Sequence, residues 1–149
     1  MRHVLMVVST FVLALALAHA PPASAQQSDR HDATVEALRA VISHRLLVQG
    51  DSTRFDACIL SGFLGGLDAL TESLGPLAER AFVNPTDPCA EEADRRVDLF
   101  SMRLAGSAMQ VRLRVLELDD WHFEDYRLSP PPAFLDGPIR WIVEDVRRY

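Results

Sequence analysis

Met109-Gln110-Val111-Arg112-Leu113-Arg114-Val115 alternates apolar and polar side chains without a break. A period of two puts the four apolar residues on one face and Gln110, Arg112 and Arg114 on the other, the pattern of a β-strand covered on one side. A helix is excluded, because a period of 3.6 would scatter the same four side chains around its axis. Upstream, Phe100, Met102 and Leu104 share a face of a neighbouring strand, and Gly106-Ser107 fits a two-residue hairpin turn. Downstream, Asp119-Asp120 supplies turn chemistry before a third strand from Trp121 to Leu128. Trp121 and Phe123 fall on one face of it and Tyr126 and Leu128 on the other, so a bulge near Glu124-Asp125 is expected. A loop from Ser129 to Pro138 leads to a last strand from Ile139 to about Arg148. Ile139, Trp141 and Val143 alternate there, and Val146, out of phase, predicts a second bulge.

Ahead of this sheet the period is helical. Val35, Leu38, Ile42 and Leu46 recur at three and four residues from Asp32 to about Gln49, with Ala37 and Val41 widening the stripe and Gly50 placed as a C′ glycine. Asp51-Ser52-Thr53 offers a second N-cap, with Thr53 and Asp56 in capping-box spacing, and Phe55, Ile59, Phe63 and Leu67 follow at four-residue steps. Gly62, Gly65 and Gly66 predict that this helix is short, bent or closely packed. Gly75-Pro76 ends one segment and starts a last short helix that buries Leu77, Ala81 and Phe82. Asn84 to Pro88 is a loop. Helices followed by an antiparallel meander predict an α+β domain, its N-terminal helices packed on one face of a four-stranded antiparallel sheet. Met109, Val111, Leu113, Val115, Trp141 and Val143 should face the first helix.

Residues 1–25 read as a secretory signal peptide, leaving one domain over 26–149. Arg2 and His3 are basic, Val4 to Ala18 are uncharged and apolar, and Ala23-Ser24-Ala25 is an A-x-A site. That apolar run is shorter than the roughly 20 residues of a spanning helix, and Pro21-Pro22 interrupts any extension. The expectation is an exported protein, periplasmic or extracellular, beginning at Gln26 and free of the membrane after cleavage. Removing the leader, whose one formally charged residue is Arg2, takes the net charge from −6 to −7. An acidic chain argues against nucleic acid as a partner. Export permits a disulfide between Cys58 and Cys89, the two cysteines of the chain.

The strand ending Glu124-Asp125-Tyr126-Arg127-Leu128, the loop after it and Ile139-Arg140-Trp141-Ile142-Val143-Glu144-Asp145-Val146 resemble the closing hairpin of the nuclear-transport-factor-2-like superfamily, the cone-shaped α+β fold also called cystatin-like. A long first helix and shorter helices before the sheet suit the same fold. The resemblance implies a curved sheet wrapped around a helix, with an apolar pocket at the wide end. It implies no single activity, since members include steroid isomerases, polyketide cyclases, dehydratases, transport adaptors and many secreted domains without known activity.

The one compact polar cluster is His122-Phe123-Glu124-Asp125-Tyr126. In an unbulged strand His122, Glu124 and Tyr126 point to one side, an acid/base group beside a hydrogen-bond donor. They are the candidate catalytic residues, although an exposed hairpin face with Tyr126 at its edge is the default reading. His122 and Glu124 lack a third metal ligand in the sequence, and no metal or other cofactor is expected. His44 reads as a structural histidine beside Arg45. The strand arginines read as cross-strand ion pairs, with an anion-binding groove as the sharper idea. The leading expectation is therefore a small non-catalytic binding module that meets an apolar small molecule or a protein partner, with a homodimer through the sheet as a further option. The alternative is a small pocket enzyme doing isomerase-, dehydratase- or cyclase-like acid–base chemistry.

Overall fold

The computed structural model describes residues 23–51, 53–82, 96–117, 120–130 and 140–149. The leader up to residue 22, Cys89 with the 84–88 loop, Asp119 and most of the loop before the last strand, with Ile139, lie outside the described residues. Two compact units are present, Met1–His31 and Asp32–Tyr149. The first contributes the opening of helix α1 (Ala23–Ser43), and the sheet and both candidate sites belong to the second.

Helix α1 buries Val35, Leu38, Val41 and Ile42, the stripe its spacing predicts. It runs straight into a π-turn, His44–Val48, closed by Gln49 N donating to His44 O at 3.0 Å. Gly50, with φ 67°, follows as the expected positive-φ glycine. The second helix departs from the sequence reading. Phe55 lies in a two-residue strand β1 (Arg54–Phe55), and helix α2 starts later, at Ala57–Leu64. Its N-cap is Asp56, whose Oδ1 accepts from Cys58 N at 3.0 Å and Ile59 N at 3.2 Å, so the Thr53–Asp56 capping box does not form. The shift rotates the apolar stripe. Ala57 and Leu60 are buried, whereas Ile59 and Phe63 are 38% and 53% exposed. Gly65, at φ 73°, ends the helix, which makes it short, one of the three options its glycines predict. Helix α3 (Asp68–Leu74), a 3₁₀ turn (Gly75–Leu77) and α4 (Ala78–Ala81) then bury Leu70, Leu74, Ala78 and Ala81.

Strands β2 (Arg96–Ala105), β3 (Ala108–Glu117), β4 (Asp120–Ser129) and β5 (Ile142–Arg148) form the predicted antiparallel meander. Strand β1 adds a fifth, parallel to β2 through Phe55↔Val97, so the curled sheet is mixed rather than four-stranded antiparallel. Docking Phe55 and Phe82 side by side, both almost wholly buried, supplies the reason for this non-local pairing.

The faces follow from two bulges. In β2 the register slips between Leu99 and Ser101, which turns Phe100 outward and away from Met102. In β5 Asp145 pairs with Arg127 but Val143 with Leu128, so Glu144 is extra and both Val143 and Val146 reach the core, as their phase predicts. No bulge occurs near Glu124-Asp125, because β3 and β4 pair in unbroken register from Met109↔Leu128 to Glu117↔Asp120. The conflict that called for one dissolves because Trp121 and Phe123 lie on the outer face. There Arg114 stacks 4.2 Å from the Trp121 ring, and Phe100 packs edge-on to Phe123 at 5.1 Å. Met109, Val111, Leu113, Val115, Trp141 and Val143 all belong to the helix-side core. The Trp141 indole also donates to Ala33 O on α1 at 3.0 Å.

Candidate functional site

Regular alternation along β4 puts His122, Glu124 and Tyr126 on the inner face together, as the unbulged strand predicts. They are not an exposed hairpin face: Glu124 and Tyr126 are each 1% exposed. Tyr126 Oη donates to Glu124 Oε2 at 2.9 Å, and His122 Nε2 lies 3.2 Å from Glu124 Oε1. From the facing π-turn comes Arg45, itself 1% exposed, whose guanidinium binds Glu124 through Nη1 and Asp51 through Nη2. Asp51 is fixed in turn by Thr53, which donates through its backbone N at 2.8 Å and its hydroxyl at 2.6 Å. Arg148, at the end of β5, reaches back to Glu124 Oε1 at 2.6 Å, and Gln49 Oε1 sits 3.1 Å from the Tyr126 hydroxyl.

The sequence does not mark Arg45, Gln49, Asp51 and Arg148 as members of this cluster: Asp51 reads there only as an N-cap and Arg148 only as a strand arginine. A signal existed for the first, since Arg45 stands four residues after Val41 and three after Ile42, inside the apolar stripe. A cation there needs a buried anion. The anion lies 79 positions away.

The electrostatics of the cluster favour fixed charges. Burial would raise the pKa of Glu124, but the Arg45 charge and hydrogen bonds from Arg148, Tyr126 and His122 outweigh it and hold it below the usual carboxylate value. Asp51 is lowered in the same way, burial being overcome by the two Thr53 bonds and the charges of Arg45 and Arg148. Burial raises the Tyr126 phenol, so it stays a neutral donor. His44, edge-on to Tyr126 at 6.1 Å, is lowered by burial and by Arg45, against a smaller pull from Glu124. Two arginines therefore meet two ionised carboxylates. A carboxylate this well satisfied is a weak general base, and its best donors are already committed to it. Among the described residues no group of three His, Cys, Asp or Glu side chains is placed to hold a metal ion.

The outer face of the sheet presents a second site. An open groove of about 500 Å³ is lined by residues that include Arg103, Arg112, Asp125, Arg127, Asp145 and Arg147. Arg112 grips Asp125 with two bonds of 2.5 and 2.6 Å, and its guanidinium lies 5.9 and 6.0 Å from the rings of Phe123 and Tyr149. The expected cross-strand ion pairs are present: Arg112–Asp125, Arg114–Asp98 at 2.5 Å and Arg127–Glu144 at 3.5 Å. Cys58 lies in the first turn of α2, and its predicted partner Cys89 is outside the described residues. Compared with family models, curated proteins and solved structures, the chain matches none.

Proposed function

We propose that this chain is an exported, non-catalytic binding module of the nuclear-transport-factor-2-like kind, and that its contact surface is the outer face of the sheet. The order of elements, one long helix, shorter helices and then a curled sheet, supports the family reading. The observation that carries the binding reading is the contrast between the faces. At the inner face Arg45, Glu124 and Tyr126 are buried and, with the half-buried His122 and Asp51, bound to one another, whereas the outer face holds an open groove of ligand size edged by guanidiniums. The occupant is thus polar rather than apolar in the part that enters this groove.

A second reading, acid–base catalysis in the manner of a small isomerase or dehydratase, is favoured by one specific observation. His122, Tyr126, Arg45 and Arg148 converge on the Glu124 carboxylate, and the His44 Nδ1 and Arg45 Nε atoms are buried without a hydrogen-bond partner among the described residues. A thermal-shift screen of polar and apolar small molecules, run on the wild type, Arg112→Ser and His44→Ala, separates the two. Ligands lost in Arg112→Ser and kept in His44→Ala uphold the binding module. Ligands that need His44 and ignore Arg112, or any compound turned over in a His44-dependent way, overturn it in favour of the enzyme.

A further inference from the structure

The strand register turns the outer groove into two parallel rows of side chains, each crossing four strands. One row reads Ser101, Arg112, Asp125, Arg147 and the next Arg103, Gln110, Arg127, Asp145. Each row holds two guanidiniums and one carboxylate, so the local excess is positive on a chain whose net charge is −6. Partners inside the groove are unevenly shared. Arg112 is committed to Asp125, and Arg147 donates to Asp145 at 2.9 Å. Arg103 meets the neutral Gln110 amide oxygen at 2.8 Å and forms no ion pair among the described residues. Arg127 has a single loose contact, 3.5 Å, to the exposed bulge residue Glu144. The two least satisfied cations therefore stand on either side of Gln110 in one row. Neighbouring strands are about 4.8 Å apart, so two strands separate them by about 10 Å, the span of a small molecule with an anionic group toward each end. The second row backs them with Arg112, already oriented by Asp125 and flanked by two rings.

We infer that the Arg103–Gln110–Arg127 row is an oxyanion site that takes a small polyanion bearing two or more carboxylate or phosphate groups. Gln110 donates its amide to the ligand's centre, and the two guanidiniums clamp its ends in the forked geometry that planar oxyanions favour. Ion pairs as exposed as Arg127–Glu144 hold too weakly to keep such a ligand out. This inference rests on the outer-face reading above and adds the chemical class of the occupant.

Titration calorimetry with citrate and with pyrophosphate, each against sodium chloride at matched ionic strength, tests it on the mature chain. At least one anion should bind saturably. Arg103→Gln and Arg127→Gln should each weaken it at least tenfold, and Arg80→Gln, a surface arginine on α4, should leave it unchanged. Citrate alone would mark a carboxylate ligand, pyrophosphate alone a phosphate one. Because both variants sit at solvent-facing strand positions, their circular dichroism should match the wild type, and Gln110→Leu gives an independent third measurement. No saturable binding of either anion, binding that survives both arginine changes, or a dimer whose formation consumes Arg103 and Arg127 would overturn the inference. If both anions fail while screened ligands still depend on Arg112, the oxyanion class falls and the outer-face reading stands. If nothing depends on the outer face, both fall.

Discussion

Replacing Arg45 with Met tests the inner cluster where its energetics are most exposed. Arg45 and Glu124 are each 1% exposed, so the change strands an ionised carboxylate in the core beside a thioether. Removing one partner of a buried ion pair costs about 3–5 kcal/mol. The low end applies here, because Arg148, His122 and Tyr126 still bind Glu124. Roughly 3 kcal/mol is a large share of the 5–15 kcal/mol of an ordinary domain, and at this chain length it lowers Tm by about 10–15 °C. Urea unfolding followed by Trp121 and Trp141 fluorescence measures it, with an unchanged slope marking a loss of stability rather than of two-state behaviour. The pH dependence supplies a second check. In the wild type the folded pKa values of Glu124 and Asp51 lie below their unfolded ones. Their contribution is therefore complete above the unfolded carboxylate range, near pH 4–4.5, and is lost as pH falls through the lowered folded values. Removing Arg45 takes away the largest cause that lowers Glu124, so the variant has less of this stability to lose and the gap between variant and wild type should narrow on acidification. A loss below 1 kcal/mol at pH 7, or a gap that widens in acid, would refute the reasoning.

Val111→Asp should abolish folding, since it places an unpaired charge at a site 1% exposed, whereas Arg112→Ser on the opposite face should change stability by less than about 0.5 kcal/mol in the same urea titration. The reverse pattern would mean the sheet faces are inverted. Non-reducing peptide mapping of exported protein should recover Cys58 joined to Cys89, and Cys58→Ala should then lower stability by roughly 2–4 kcal/mol. Two free thiols would dismiss the crosslink. Intact-mass analysis of secreted protein should give a chain that begins at Gln26, and a full-length species in the membrane fraction would count against the leader.

Periodicity alone determined most of the local structure. Alternation in Met109–Val115 set the two faces of β3, the out-of-phase Val146 announced the bulge at Glu144, and the spacing of Val35, Leu38, Ile42 and Leu46 set the buried side of α1 and its π-turn. The same alternation placed His122, Glu124 and Tyr126 on one side of β4. A period says which side chains share a face, but it does not say which faces meet. Only the tertiary structure decided that β4's inner face closes on the π-turn of α1, and this turned an apparent surface triad into a buried cluster around Arg45. The same limit hid β1, two residues long and paired with a strand some 40 positions on, where the burial of Phe55 outweighs the local preference for a longer helix. It also hid the outer rows, because a cross-strand neighbour is defined by register, and the slip at Phe100 sets which β2 side chains stand beside Arg112 and Gln110.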